Sequence, residues 1–384
     1  MPPFPARVRS VGAPPIPAAR AWAARYTGQA GPAIDVSQAV PGYPAHPDLL
    51  ARLATAATTT GYGDITGDAP LRQALAADIA QFYAADIHAP DIAITAGCNL
   101  AFTMAMTTLA DPGDEVLLPA PWYFNHHMAL TMLGIATTPL PCHPEAGFVP
   151  TVQDAAARIT PRTRAIVLVT PNNPTGAIYP PETIAAFADL CRAHNLFLVI
   201  DETYRDFLPA TPHSLFSRPD WRDFVLHLYS FSKAYCIPGH RLGAIAAGPA
   251  VHTELAKVLD TMQICPPRTA QAPIAWAIDA LRPWRDSNRT LMTTRADAFR
   301  TATAQLQGWR LDAIGTYFAY LRLPPSAPDA MAAAEHLAAH QGLMTLPGPF
   351  FGPGQHRHLR LAFANAELPA IATIPERLAA AGWT

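Results

Sequence analysis

The sequence predicts an α/β protein: a large domain whose mostly parallel sheet lies between helices, followed by a smaller α+β domain. Three observations support this. Ala165–Thr170 and Phe197–Ile200 are apolar runs without polar alternation, as expected of parallel strands buried on both faces. The helical segment Glu182–His194 lies between them, and the alternation of strand and helix recurs from about residue 46 onward, the pattern of helices covering a parallel sheet. With 384 residues, half of them hydrophobic and 15% charged, the chain can bury two cores without disulfides or metals.

Taken in order, residues 1–45 read as an arm interrupted by Pro and Gly, with Trp22, Tyr26, Ile34 and Val36 as apolar anchors. Leu71–Tyr83 is an amphipathic helix, Ile92–Thr95 a short strand, and 99–110 a second helix. The turn Asp111-Pro-Gly-Asp114 leads into the strand Val116–Pro119. Val225–Tyr229 and Leu242–Ala247 extend the strand series. A helix at Ala272–Leu281 and a long polar one from Ser287 to Gln307 then change the character of the chain. Tyr317–Leu323, Met344–Leu346 and His358–Phe363 read as strands, with helices near 329–340 and 369–381. The expected division is an arm, 1–45, contributing to the small domain; a large domain, 46–282; and the small domain, 283–384.

Composition excludes several classes. A net charge of −2 argues against electrostatic capture of nucleic acid. No stretch approaches the roughly 18 uncharged apolar residues of a membrane span. The first twenty residues lack the apolar core of a secretory signal, so a cytoplasmic location is expected. Five cysteines without a CxxC pair indicate neither a disulfide framework nor a zinc site. His126-His127 and His356-Arg-His358 are wrongly spaced for a metal pair and read as structural or solvated, while Met128 and Met132 read as core.

Four segments carry chemistry. Ser230-Phe-Ser-Lys-Ala-Tyr-Cys-Ile-Pro-Gly-His-Arg241 places Lys233 just beyond an apolar strand, where an amine can attack a carbonyl cofactor. Ser230, Ser232 and Arg241 can hold a phosphate there. Asp201, in Asp201-Glu-Thr-Tyr204, lies at the carboxyl end of another strand, the edge where ligands bind in open α/β sheets. A carboxylate there can keep a pyridine nitrogen protonated, and Tyr204 can donate to a ring oxygen. Pro171-Asn-Asn-Pro-Thr-Gly176 is a turn whose Asn can face the same site. Thr95-Ala-Gly-Cys-Asn99 opens a helix with small residues, a ready anion site, without the GxGxxG or Walker pattern of nucleotide sites.

These motifs, with the stretch Tyr62-x4-Gly67-x3-Leu71-Arg72 and the late His358-Leu-Arg-Leu361, resemble the class I/II aminotransferases, a family of fold-type I pyridoxal-phosphate enzymes. The resemblance runs from Ile34 to about Phe363, with the motifs in the family's order. It implies that Lys233 carries pyridoxal 5′-phosphate as a Schiff base and shuttles the substrate proton. Asp201 would pair with the ring nitrogen, and Asn173 and Tyr204 would bond the phenolate oxygen. Gly97, Cys98, Asn99, Ser230, Ser232 and Arg241 would hold the phosphate. Tyr123 would stack on the ring, with neighbouring Trp122 as its rival. Arg360 would clamp the substrate carboxylate, with Asn173 and Ala39 beside it. Tyr62 would reach the phosphate of a partner subunit, since the family builds its sites across a homodimer.

The implied activity is transamination between an amino acid and a 2-oxo acid. The alternatives are another reaction on the same cofactor (a C–S or β-lyase, a decarboxylase) and a cofactor-binding sensor. Two residues depart from the family pattern: Ala39 replaces a usual Gly near the substrate carboxylate, and Arg268 stands where small polar residues are common. Arg268 would recognise an acidic side chain or form a surface ion pair.

Overall fold

Seven strands form the central sheet of the computed structural model, which describes residues 2–384. In chain order they are β1 (Ile92–Thr95), β2 (Glu115–Ala120), β3 (Ala136–Pro141), β4 (Thr163–Val169), β5 (Phe197–Asp201), β6 (Val225–Ser230) and β7 (Gly243–Ala246). Their spatial order is β1-β7-β6-β5-β4-β2-β3. Only β7 runs antiparallel to its neighbours β1 and β6; the other pairings are parallel.

The continuous apolar runs follow from burial on both faces. Ile166, Leu168, Leu198 and Ile200 join one core cluster, while the alternate residues Ala165, Val167 and Val199 join another. Successive side chains of a strand point to opposite faces, so a sheet covered on both sides tolerates no polar alternation. The register pairs Val169 with Asp201 and Asp201 with Leu228. The loops after β4, β5 and β6, which hold Asn173, Tyr204 and Lys233, therefore leave one edge side by side.

Several elements lie beyond the sequence reading. β3 is a half-exposed edge strand containing Pro139 and Pro141, and Pro is tolerated at such an edge. Helices at Pro47–Ala56, Phe124–Leu133 and Pro249–Gln263 flank the sheet. In the second of these Ala129 and Leu130 are buried while Met132 is 44% exposed, so Met132 is not core as expected.

The second sheet is antiparallel, with order β10-β11-β9-β8: β8 (Arg310–Gly315), β9 (Phe318–Arg322), β10 (Leu346–Pro347) and β11 (His358–Leu361). Its core joins Phe299, Leu321, Leu337 and Leu361 to Ile34 and Val36 of the arm. The arm helix Pro15–Ala23 packs along the helix Ala330–Gln341, and Ile34–Asp35 pairs in parallel with Leu343–Met344. The single strand expected at Met344–Leu346 is two, because the chain changes partner at Thr345: Leu343–Met344 joins the arm and β10 joins β11.

The long helix Arg282–Thr303 is anchored to the central-sheet region by buried, mutually paired charges. Arg285 bonds Asp206 at 2.6 Å and Asp78 at 3.1 Å, and Arg205 bonds Asp78 at 2.5 Å. Pairing is what makes such buried charges tolerable. The loop after β4 meets the β8–β9 turn closely: a Cβ on Gly176, whose φ is +78°, would lie 2.4 Å from Gly315 N.

Candidate active site

A cavity of about 440 Å³ opens at the carboxyl edge of β4, β5 and β6. Its wall brings together Lys233, Asp201, Asn173, Tyr204, Arg241 and Arg360, residues far apart in the sequence. Lys233 sits in the short helix Phe231–Ala234 directly after β6, where the Ser230 hydroxyl caps the turn by accepting from Ser232 N at 3.3 Å. Its Nζ donates to the Ala39 carbonyl at 2.5 Å. Burial, then the charges of Arg360 and Arg241, pull its pKa down from 10.5 to about 8, which leaves roughly a tenth of it as free amine at pH 7, far more than an ordinary lysine.

Asp201 ends β5. Thr203 donates to its Oδ1 from Oγ1 at 2.7 Å and from N at 3.0 Å, and His126 Nε2 stands 3.2 Å from Oδ2. Burial pushes the carboxyl up, but the His126 imidazole and the two Thr203 bonds outweigh it and hold the group below its ordinary value. His126 stacks on Phe102, ring centres 3.9 Å apart, which fixes its aim. His126, expected to be structural or solvated, is buried and braces Asp201, the one carboxylate among the described residues that line the cavity. Glu202, next in sequence, turns to the other side of the sheet and meets His213 at 3.2 Å and His227 at 2.9 Å.

At one end of the cavity the β1–helix turn meets Arg241. Gly97, at φ +92° and ψ 160°, precedes the helix Cys98–Leu109, whose first N–H groups have no carbonyl partner within the helix. A Cβ on Gly97 would lie 2.1 Å from Arg241 Nη2, so only glycine lets the guanidinium close on the turn. Ser230, Ser232 and Asn99 line the same end. The Cys98 side chain does not: its Sγ lies 3.9 Å from Asp201 Oδ1 and 3.5 Å from Thr203 Oγ1, leaving the backbone N–H of Cys98 for an anion.

At the other end Arg360, on β11, is buried and donates from Nη1 to Asn173 Oδ1 at 3.1 Å and from Nη2 to the Ser37 carbonyl. Its guanidinium lies 5.0 Å from the Phe318 ring centre and 5.1 Å from that of Phe351. Among the described residues Nε has no partner, and burial pulls the pKa down to about 10, so this buried cation has a donor open to an arriving anion. Within Pro171–Gly176, Asn172 instead braces the turn, its Oδ1 accepting from Thr175 N at 3.1 Å and Oγ1 at 2.8 Å.

Tyr123 lines the cavity, its hydroxyl accepting from Asn125 Nδ2 at 2.9 Å. Trp122 faces away, stacked on His127 at 4.8 Å and packed against Gly352. Tyr62 is not brought into this cavity: it is 81% exposed and borders a separate hollow with Arg268. Arg268 bonds Asp68 at 3.3 Å and the carbonyls of Gly61 and Tyr62. Sequence reasoning also missed Thr203, Asn125, Gln38 and the arm residues Pro14–Ile16, all of which line or brace the cavity. Only Thr203 carried a signal, sitting within the Asp201–Tyr204 motif.

A buried amine with a lowered pKa, a buried carboxylate held anionic by Thr203 and His126, and a cation beside free helix N–H groups match the aldehyde, ring nitrogen and phosphate of pyridoxal phosphate. The residues present fit that group, and the protein is a pyridoxal-phosphate enzyme of fold type I. Residues 26–378 match the family described as aminotransferase class I and II, and the chain belongs to it. It is 32% identical to arginine–pyruvate transaminase of Pseudomonas aeruginosa, over 82% of this chain and 80% of that protein. Valine–pyruvate aminotransferase of Mycobacterium tuberculosis is 28% identical over 92% of this chain and 93% of its own length. The solved aspartate aminotransferase of Thermus thermophilus with maleate superposes with a TM-score of 0.90 at 26% identity, covering 99% of this chain and 100% of that one. The activity is transfer of an amino group between an amino acid and a 2-oxo acid.

Proposed function

We propose the following division of labour for this aminotransferase. Bound pyridoxal phosphate supplies the electron sink that makes the substrate Cα–H acidic. Lys233 Nζ holds the cofactor between turnovers, then takes the proton from the substrate Cα and returns it. Its lowered pKa supports this role, since a base works best when titrating near the working pH. Asp201, kept anionic by Thr203 and His126, holds a proton on the ring nitrogen. Asn173 Oδ1 is taken by Arg360, so its Nδ2 donates to the ring oxygen together with Tyr204. Gly97, Cys98 and Asn99 N–H groups with Ser230, Ser232 and Arg241 bind the phosphate. Arg360 grips the substrate α-carboxylate beside Asn173 and Ala39, and Tyr123 covers the ring. The observation that carries the reading is the meeting of two arginines, Lys233 and Asp201 in the wall of one cavity, one arginine against the Gly97 turn and the other against Asn173.

The working unit is a homodimer in which Tyr62 enters the partner's site; its exposure and its distance from the cavity of its own chain support this. The arm and residues 283–384 form the small domain, and 46–282 the large one. Among the described residues no helix is long and apolar enough to cross a membrane, and we place the enzyme in the cytoplasm. Relatives named for arginine, aspartate and valine resemble this chain, so the donor is decided by the walls of its own cavity.

Borohydride reduction of the loaded enzyme, followed by peptide mapping, tests the central assignment. The chain has two lysines, and the pyridoxyl label is expected on Lys233. Label on Lys257, an exposed residue paired to Glu254 at 2.6 Å, would overturn it.

A further inference from the structure

We infer that the substrate's side chain is uncharged and is received between Ile16 and Phe124, with the amides of Gln38 and Asn125 beside it. The inference rests on the transamination reading, and it names the class of amino acid that site takes. Among the described residues the cavity wall carries four formal charges: Asp201, Lys233, Arg241 and Arg360. Each is assigned to cofactor or α-carboxylate, and none is left for a charged side chain. The rest of the lining not assigned to cofactor or α-carboxylate includes Pro14, Pro15 and Ile16 of the arm with Gln38, Phe124 and Asn125.

Both amides are half committed. Gln38 Oε1 accepts from Arg20 Nη2 at 3.3 Å, so Gln38 Nε2 faces the cavity unbonded among the described residues, while Arg20 itself is exposed to water and does not line the cavity. Asn125 Nδ2 donates to Tyr123, which leaves Oδ1 free. One open donor and one open acceptor suit a neutral polar group or none, and neither compensates a full charge. The cation beside Tyr62, Arg268, is tied to Asp68 and to two carbonyls, so it brings no net charge with that stretch. A carboxylate or guanidinium placed here would lose hydration without a counter-charge, whereas an aliphatic chain gains by covering Ile16 and Phe124.

Calorimetric binding of unreactive carboxylates to the loaded enzyme tests this independently of turnover. The probes are 4-methylpentanoate, glutarate and 5-(trimethylammonio)pentanoate. The neutral ligand should bind at least about tenfold more tightly than either charged one, the scale of an uncompensated charge. Equal or tighter binding of glutarate or of the cation would overturn the inference. Single-turnover spectra should agree, leucine or methionine converting the cofactor to its amine form faster than glutamate or arginine. Preference for 4-methylpentanoate with no conversion by any amino acid would uphold the neutral wall and reject transamination. Ile16→Arg should raise glutarate binding relative to 4-methylpentanoate by about tenfold. An unchanged ratio in that variant would overturn the placement of the side chain against Ile16.

Discussion

Gly97→Ala isolates the end of the site proposed to hold the phosphate. Gly97 holds φ +92° and ψ 160°, a region essentially reserved for glycine, so an alanine there costs about 1–3 kcal/mol of folding free energy. The added methyl would also start 2.1 Å from Arg241 Nη2 and 2.7 Å from Cζ. Non-bonded carbon contacts settle near 3.5 Å, so the guanidinium must retreat by about 1 Å or more. That distance forfeits about one charge-assisted hydrogen bond to a bound phosphate, roughly 1.5–3 kcal/mol. Affinity for pyridoxal phosphate should fall about 10- to 100-fold. Titration of the cofactor-free variant, followed by absorbance, measures this directly. Arg241→Ala supplies the control: if the methyl acts through the guanidinium, the double variant binds little worse than Arg241→Ala alone, because residues in contact do not add. Cofactor affinity within about twofold of the parent, or losses that sum in the double variant, would refute the reasoning.

Three further outcomes are expected. Arg360→Lys keeps the charge but loses the planar fork, so amino acids should bind about tenfold or more weakly while cofactor loading is unchanged; amines lacking a carboxylate reacting as well as amino acids in the parent would refute the carboxylate role. In the cofactor-free protein Lys233 titrates near 8 and an unfolded lysine near 10.5, so between those values the unfolded chain binds more protons and stability rises with pH. The stability difference between parent and Lys233→Met, from denaturant titrations, should be flat below pH 8, rise in the parent's favour up to 10.5, and would contradict the burial argument by staying level or falling. Mixing Lys233→Ala with Tyr62→Ala subunits should restore about half the parental activity per dimer, because a residue acting in trans concentrates both lesions in one site and leaves the other intact; no rescue with heterodimers confirmed by mass would defeat the shared site.

What could be read from the sequence, and what could not, follows from how each residue is positioned. Asp201 and Lys233 were legible because a buried apolar run marks its own carboxyl end, and the residues just past β5 and β6 must then lie at the ligand edge. β3 was not legible: at the sheet's edge its burial is patchy and two prolines interrupt it. The helix Pro249–Gln263 did carry the signal, with Val251, Leu255 and Leu259 buried four residues apart, a stripe diluted by the polar residues between them. His126 is a different case. Its task depends on a stack against Phe102 of one helix and on the terminus of β5, two elements distant in sequence. No local pattern encodes such a meeting, and a doubled histidine reads the same whether it braces a carboxylate or faces water. Ile16 and Gln38 were hidden for the same reason: they come from an arm expected to join the small domain, but which of its residues face the cavity is set only when its helix packs along Ala330–Gln341. The proposed cofactor contacts therefore sit in strand-end motifs, where the backbone dictates their place. The residues we assign to the substrate's side chain are brought in by tertiary packing, which is why chemistry was readable from the sequence and specificity required the folded chain.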